Sequence, residues 1–188
     1  GVTSTSVTDI DLAGVQSSPQ ASTTFTLGAN LDASASATST FTSPVTIYNS
    51  VGTQVIASVQ FTKVANANTW NYNISTSEGT ITSGASGSVS FDNSGQLSLV
   101  GGAAAADQSI VIDYSTATSP AATQTLNWDL VGTTGATNGK LTGFAAESNN
   151  ISLIQDGFST GTLVGLTTNS SGVISGLFNN GQTDNLFQ

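Results

Sequence analysis

Eleven carboxylates and two ammonium groups, Lys63 and Lys140, are the charged side chains of this 188-residue sequence, which has no His, Arg, Cys or Met. That inventory closes most routes to catalysis. A serine nucleophile needs a neighbouring base to take its proton, and without His or Cys few candidates remain. Paired carboxylates hydrolyse glycosides when a cleft holds them at a set separation. Any eleven acids contain many pairs, however, and Asp113, Asp129, Glu147 and Asp184 are scattered in the manner of solubilising surface charge. Asp9 and Asp11 form an Asp-x-Asp that offers oxygen ligands to Ca²⁺. A hard cation takes about six to eight oxygens, and no nearby cluster of acids completes that shell. No catalytic, cofactor-binding or metal-ligating residue is assigned on these grounds.

Two further features have a functional reading and a plainer one. Gly101-Gly102 does not precede a helix in a nucleotide-binding pattern, so a turn is the expected role. Trp70 and Trp128 offer a carbohydrate platform, but both fall in alternating stretches, which points to the core. The net charge of −9 excludes nucleic acid, whose phosphates require clustered Lys and Arg, and disfavours anionic membranes. No stretch reaches the roughly 18 apolar residues of a membrane span. The first residue is Gly, which reads as a trimmed or processed chain.

The elements that must position these residues are strands. Val, Ile, Leu, Phe, Trp and Tyr make up roughly a quarter of the chain, enough for a core. Helical periodicity is nearly absent, whereas short alternating runs recur between turn clusters. Val45–Tyr48, preceded by Pro44, forms a hairpin with a run in which Val55, Ala57, Val59 and Phe61 alternate with polar neighbours. Trp70, Tyr72 and Ile74 repeat the spacing, closed by Glu78 and Gly79. Ser88–Phe91 and Gln96–Val100 flank the turn Asn93-Ser94-Gly95, and Ser109–Tyr114 and Thr123–Leu130 follow. Ala103–Ala106 is too short to nucleate a helix and is expected to be a loop.

The last third reads as serial hairpins: Ile151–Ile154, Leu163–Thr167 and Val173–Phe178, with Gly157, Gly172 and Gly181 expected to take positive φ at the reversals. Such a section cannot bury its sheet alone, so it is expected to recruit Val7–Leu12 and Thr23–Leu27 from the N-terminal part. Ala33–Thr40 and Gly132–Gly139 read as linkers. The expectation is all-β: a sandwich-like or barrel-like domain at 37–147 inserted into a discontinuous domain made of 1–36 and 148–188. The crossings near Ala33–Thr40 and Gly132–Glu147 would then act as a double hinge.

Several motifs, in order, resemble a known family. The run Ser43-Pro44-Val45-Thr46-Ile47-Tyr48-Asn49-Ser50-Val51-Gly52, then Val59-Gln60-Phe61 and Trp70, is similar to the opening of the middle domain of bacterial flagellar hook proteins. Phe91-Asp92-Asn93-Ser94-Gly95-Gln96-Leu97 resembles the family's next hairpin. Gln155-Asp156-Gly157-Phe158 with Gly161 and Leu163, Gly172–Gly176, and Asn180-Gly181-Gln182-Thr183 with Leu186 resemble the end of the outer core domain shared by hook and rod proteins. Asn49 stands where the family usually has Asp. The resemblance implies a non-enzymatic subunit without cofactors, located outside the cell and polymerising with copies of itself into the hook, a flexible joint that carries torque. It also implies rod and hook–filament junction proteins as neighbours. The terminal helices that the family uses for its inner tube are missing from this sequence, so this stretch by itself is expected to be monomeric.

Overall fold

A computed structural model describes residues 14–132 and 136–187. The expected strand Val7–Leu12, the Asp9/Asp11 pair and part of the stretch Gly132–Gly139 lie outside the described residues. Among the described residues there are strands and no helix: β1 (Gln16–Ser17), β2 (Thr24–Asn30), β3 (Thr40–Tyr48), β4 (Gln54–Lys63), β5 (Thr69–Thr76), β6 (Thr80–Ser83), β7 (Ser86–Phe91) and β8 (Leu97–Val100). They continue with β9 (Ala103–Ala104), β10 (Gln108–Asp113), β11 (Gln124–Trp128), β12 (Leu141–Thr142), β13 (Asn149–Gln155), β14 (Gly161–Thr168), β15 (Ile174–Phe178) and β16 (Thr183–Phe187). The all-β expectation holds.

The described chain divides into two compact units, 14–18 with 160–187 and 19–159. The larger contains two sheets. One is an antiparallel succession in the order β3-β4-β5-β7-β8-β9. The β3–β4 ladder sets Phe41 opposite Phe61, Val45 opposite Ala57 and Ile47 opposite Val55. Pro44, which has no N–H to donate, lies on the edge strand β3. The other sheet runs β12-β2-β11-β10-β6, with β2 at its heart. One edge of β2 pairs in parallel with β11 near its start and with β12 near its end, while its other edge pairs antiparallel with β13.

The period-2 alternation read from sequence is what buries the core. Val55, Ala57, Val59 and Phe61 of β4, and Trp70, Tyr72 and Ile74 of β5, all point inward, as do Phe25 and Leu27 of β2 and Ile110 and Ile112 of β10. Trp128 sits between the sheets. Its ring stacks on Phe25 at 5.7 Å and meets Phe61 and Tyr72 edge-on at 6.1 and 5.2 Å. The smaller unit is a four-stranded sheet in the order β1-β14-β15-β16, each pairing antiparallel.

Several elements depart from the sequence reading. Ala103–Ala104 is a short edge strand, because Gly101 and Gly102, at φ +59° and +81°, turn the chain back so that Ala103 pairs with Val100. β6, unanticipated because it is almost entirely polar, pairs with β10. β3 begins at Thr40, where pairing of Phe41 with Phe61 extends the ladder. The division between units falls at 18/19 and 159/160, not at 36/37 and 147/148. β2 and β13 thus belong to the larger unit, where Phe25 and Leu27 are core residues. The described parts of the two linker-like stretches lie inside it as well, held by Ala33 N–H on Phe144 O at 3.0 Å, Thr38 N–H on Lys63 O at 3.0 Å and Asn138 N–H on Leu130 O at 3.1 Å. Small-residue composition mimics a linker, but backbone bonding decides.

Candidate functional site

The Gln155-Asp156-Gly157-Phe158 motif closes the larger unit where the chain leaves it. Gln20 and Phe158 exchange both backbone hydrogen bonds at 2.9 Å, so the segments that enter and leave this unit run side by side as a neck. Asp156 fastens it. One carboxylate oxygen accepts the N–H groups of Thr23 at 2.8 Å and Thr24 at 3.1 Å, and the other accepts the Thr23 hydroxyl. Gln20 Nε2 donates to Asp156 O at 2.9 Å. Partial burial alone would push the Asp156 carboxyl up, but these hydrogen bonds outweigh it and hold it below the ordinary carboxylate value.

Gly157 and Gln155 complete the neck. Gly157 does not take the positive φ expected of it, unlike Gly172 and Gly181, both at +81°. Its constraint is space: a Cβ would press on Ser22 Oγ, lie 2.6 Å from Ser22 N and 2.9 Å from Gln20 O. Gln155 Oε1 accepts from Gly157 N–H at 2.6 Å and from Ser22 Oγ at 2.7 Å.

Behind the neck lies a buried polar group that joins the two sheets. Gln124 Nε2 donates to Ser22 O at 2.5 Å and Tyr48 O at 3.0 Å, while its Oε1 accepts the Tyr114 hydroxyl at 2.7 Å. Ser22 Oγ accepts Tyr48 N–H at 3.0 Å. Burial pushes the Tyr114 phenol up to about 12. Gln20, Ser22, Tyr114 and Gln124 carried no motif in the sequence. The only sign of them was Gln155-Asp156 itself, whose side chains need partners that a local reading cannot supply.

Other acids are fasteners too. Asp107 accepts N–H groups from Leu130 at 2.9 Å and Val131 at 3.0 Å, and the Asn127 amide at 3.0 Å. Burial pushes its carboxyl up, and those hydrogen bonds outweigh the effect to hold it low. Asp129 takes the Thr26 hydroxyl at 2.8 Å, and Asp113 takes Ser115 N–H at 2.9 Å, so these two do more than solubilise. Glu147 and Asp184 are exposed.

Hairpin turns repeat one device. Asn49 Oδ1 accepts from Val51 and Thr53, Asp92 Oδ1 from Ser94 and Gln96, and Asn169 Oδ1 from Ser171 and Val173, with distances of 2.8–3.1 Å. A glycine at φ between +74° and +81° ends each turn, at Gly52, Gly95 and Gly172. In the smaller unit, buried Ser17 Oγ accepts Gly161 N–H at 3.0 Å and the Asn180 amide at 2.8 Å, gathering two of the motif positions.

No three metal-ligating side chains gather among the described residues. Trp70 and Trp128 are 1% and 0% exposed, which removes them as a carbohydrate platform. Lys63 is buried as well, its ammonium donating to Ala67 O and lying 5.8 Å from the centre of the Trp70 ring.

Residues 15–158 match the family profile described as the flagellar basal body protein FlaE D2 domain. Among solved structures the chain is similar to the Helicobacter pylori flagellar hook protein FlgE2, at 17% identity and a TM-score of 0.51, over 78% of this chain and 31% of that one. It also aligns with a 32 kDa fragment of the flagellar hook protein FlgE from Caulobacter crescentus, at 17% identity and a TM-score of 0.48, over 62% of this chain and 46% of the fragment. The alignments therefore span less than half the length of either. No curated protein matches. A profile match over most of the chain, with its outer end on the neck motif, establishes that the chain belongs to the flagellar basal body protein FlaE D2 domain family.

Proposed function

We propose that this chain is the outer β portion of a flagellar hook subunit, which polymerises outside the cell into the flexible tube carrying torque from motor to filament. The supporting observation is the match of residues 15–158 to the FlaE D2 family. The use of the polar side chains agrees with it: Asp107, Asp156 and Gln124 bind backbone groups of distant segments, and Gln155 ties the Gly157 backbone to the Ser22 hydroxyl, as a load-bearing frame requires. Bending such a tube changes the spacing of neighbouring subunits on every turn. A surface of hydroxyls and amides suits that motion, because each such hydrogen bond contributes only about 0.5–1.5 kcal/mol net and exchanges readily with water. With charged residues at 7%, few ion pairs can lock a contact.

Rod and hook–filament junction proteins are the neighbours this role calls for. We further propose that the smaller unit is the discontinuous domain of the subunit, with the larger one inserted into it. Deleting the gene should leave cells without hooks and non-motile, and the intact gene should restore both. Normal hooks in the deletion strain would refute the role.

A further inference from the structure

The larger unit has an open cleft of about 590 Å³ whose lining includes Lys140, Phe144, Glu147, Asn149 and Ile151. Phe144 and Ile151 are 46% and 65% exposed. Ile151 belongs to β13, which among the described residues is bonded only to β2, and β13 also exposes Leu153 and Ile154. Exposed apolar side chains on a strand whose second edge is unpaired among the described residues make a surface that other chains pair with or cover.

Charge distribution selects the occupant. Lys63 is buried, so among the described residues Lys140 is the one exposed cation of a chain with net charge −9. Its ammonium has no hydrogen-bond or ion-pair partner among the described residues. Two copies of so acidic a chain repel each other. They gain an ion pair across a contact only where the exposed lysine of one meets a carboxylate of the other, and that lysine lines the cleft beside the exposed apolar side chains. We infer that the cleft formed by Lys140, Phe144 and Ile151 is a contact site for a second copy of this chain, with a carboxylate of the neighbour at Lys140 and apolar side chains covering Phe144 and Ile151. This rests on the proposed role as a polymer subunit and names a contact within it.

A zero-length carbodiimide coupling, which joins an ammonium to a carboxylate within contact distance, tests it on the full-length protein assembled from mixed ¹⁴N- and ¹⁵N-labelled copies. Mass spectrometry should find the Lys140 peptide joined to an acidic peptide of the other isotope. Lys140→Glu should weaken self-association by about tenfold, whereas Lys140→Arg retains it. Coupling of Lys140 only to acids of its own copy, such as Glu147, or only to a different protein, overturns the inference, as does wild-type assembly of Lys140→Glu. A polymer that forms without Lys140 coupling sinks this contact alone. A full-length chain that forms no polymer sinks the subunit role and the contact together.

Discussion

The carboxylate of Asp156 accepts the backbone N–H of Thr23 at 2.8 Å across 133 residues of sequence. With the Gln20–Phe158 pair it fixes the point at which the chain enters and leaves the larger unit.

Asp156→Ala should destabilise the larger unit by about 1–3 kcal/mol, because the N–H groups of Thr23 and Thr24 lose their acceptor. The pH dependence has a definite sign. The folded carboxyls of Asp156 and Asp107 lie below their ordinary value of 3.8, so the unfolded state binds protons first as pH falls. Their contribution is present above that value and is lost as pH drops through the lower folded value. Urea unfolding at pH 7 and pH 3 should show wild type losing more stability on acidification than Asp156→Asn.

Gly157→Ala should cost about 2–4 kcal/mol, since the added methyl meets Ser22 and Gln20 backbone atoms that cannot swing aside. Gly165→Ala, with open space around its Cβ and no positive φ, should be within about 0.5 kcal/mol of wild type. Chemical denaturation of the two variants side by side checks the contrast.

Tyr114→Phe leaves Gln124 Oε1 without the hydroxyl it accepts and should cost about 1–3 kcal/mol. In wild type the folded phenol at about 12 lies above its ordinary value of 10.0, so its contribution is complete below pH 10 and fades as pH rises toward 12. Ultraviolet titration of the folded protein should show a late phenol that Tyr114→Phe removes.

The strands and turns were legible where the pattern is local. Val55 to Phe61 alternate visibly, and Asn49 and Asp92 announce turns through their own backbone bonds. The motif around Asp156 was legible as a motif but not as a clasp, since its partners Gln20, Ser22 and Thr23 lie far away in sequence and are ordinary polar residues. β6 offered no apolar alternation to read. The unit boundary was misplaced because Ala33–Thr40 is built of small residues, and the bonds that tie it to Phe144 and Lys63 depend on tertiary structure.

Replacing the outward-facing Thr42, Ser75 and Ser86 of the first sheet by Leu should leave the fold intact, since all three are exposed while Val45, Ile74 and Val89 on the same strands supply its inner face. Hooks built from that variant should be straighter or stiffer in electron micrographs, as apolar contacts replace exchangeable hydroxyls. Unchanged curvature would show that contact polarity does not govern bending.

Immunogold electron microscopy of intact flagella, with antibodies raised against this chain, tests the structural role most directly. Gold should decorate the short curved segment between the cell envelope and the filament along its whole length. Labelling confined to the filament, to the rod or to sites away from flagella would contradict it.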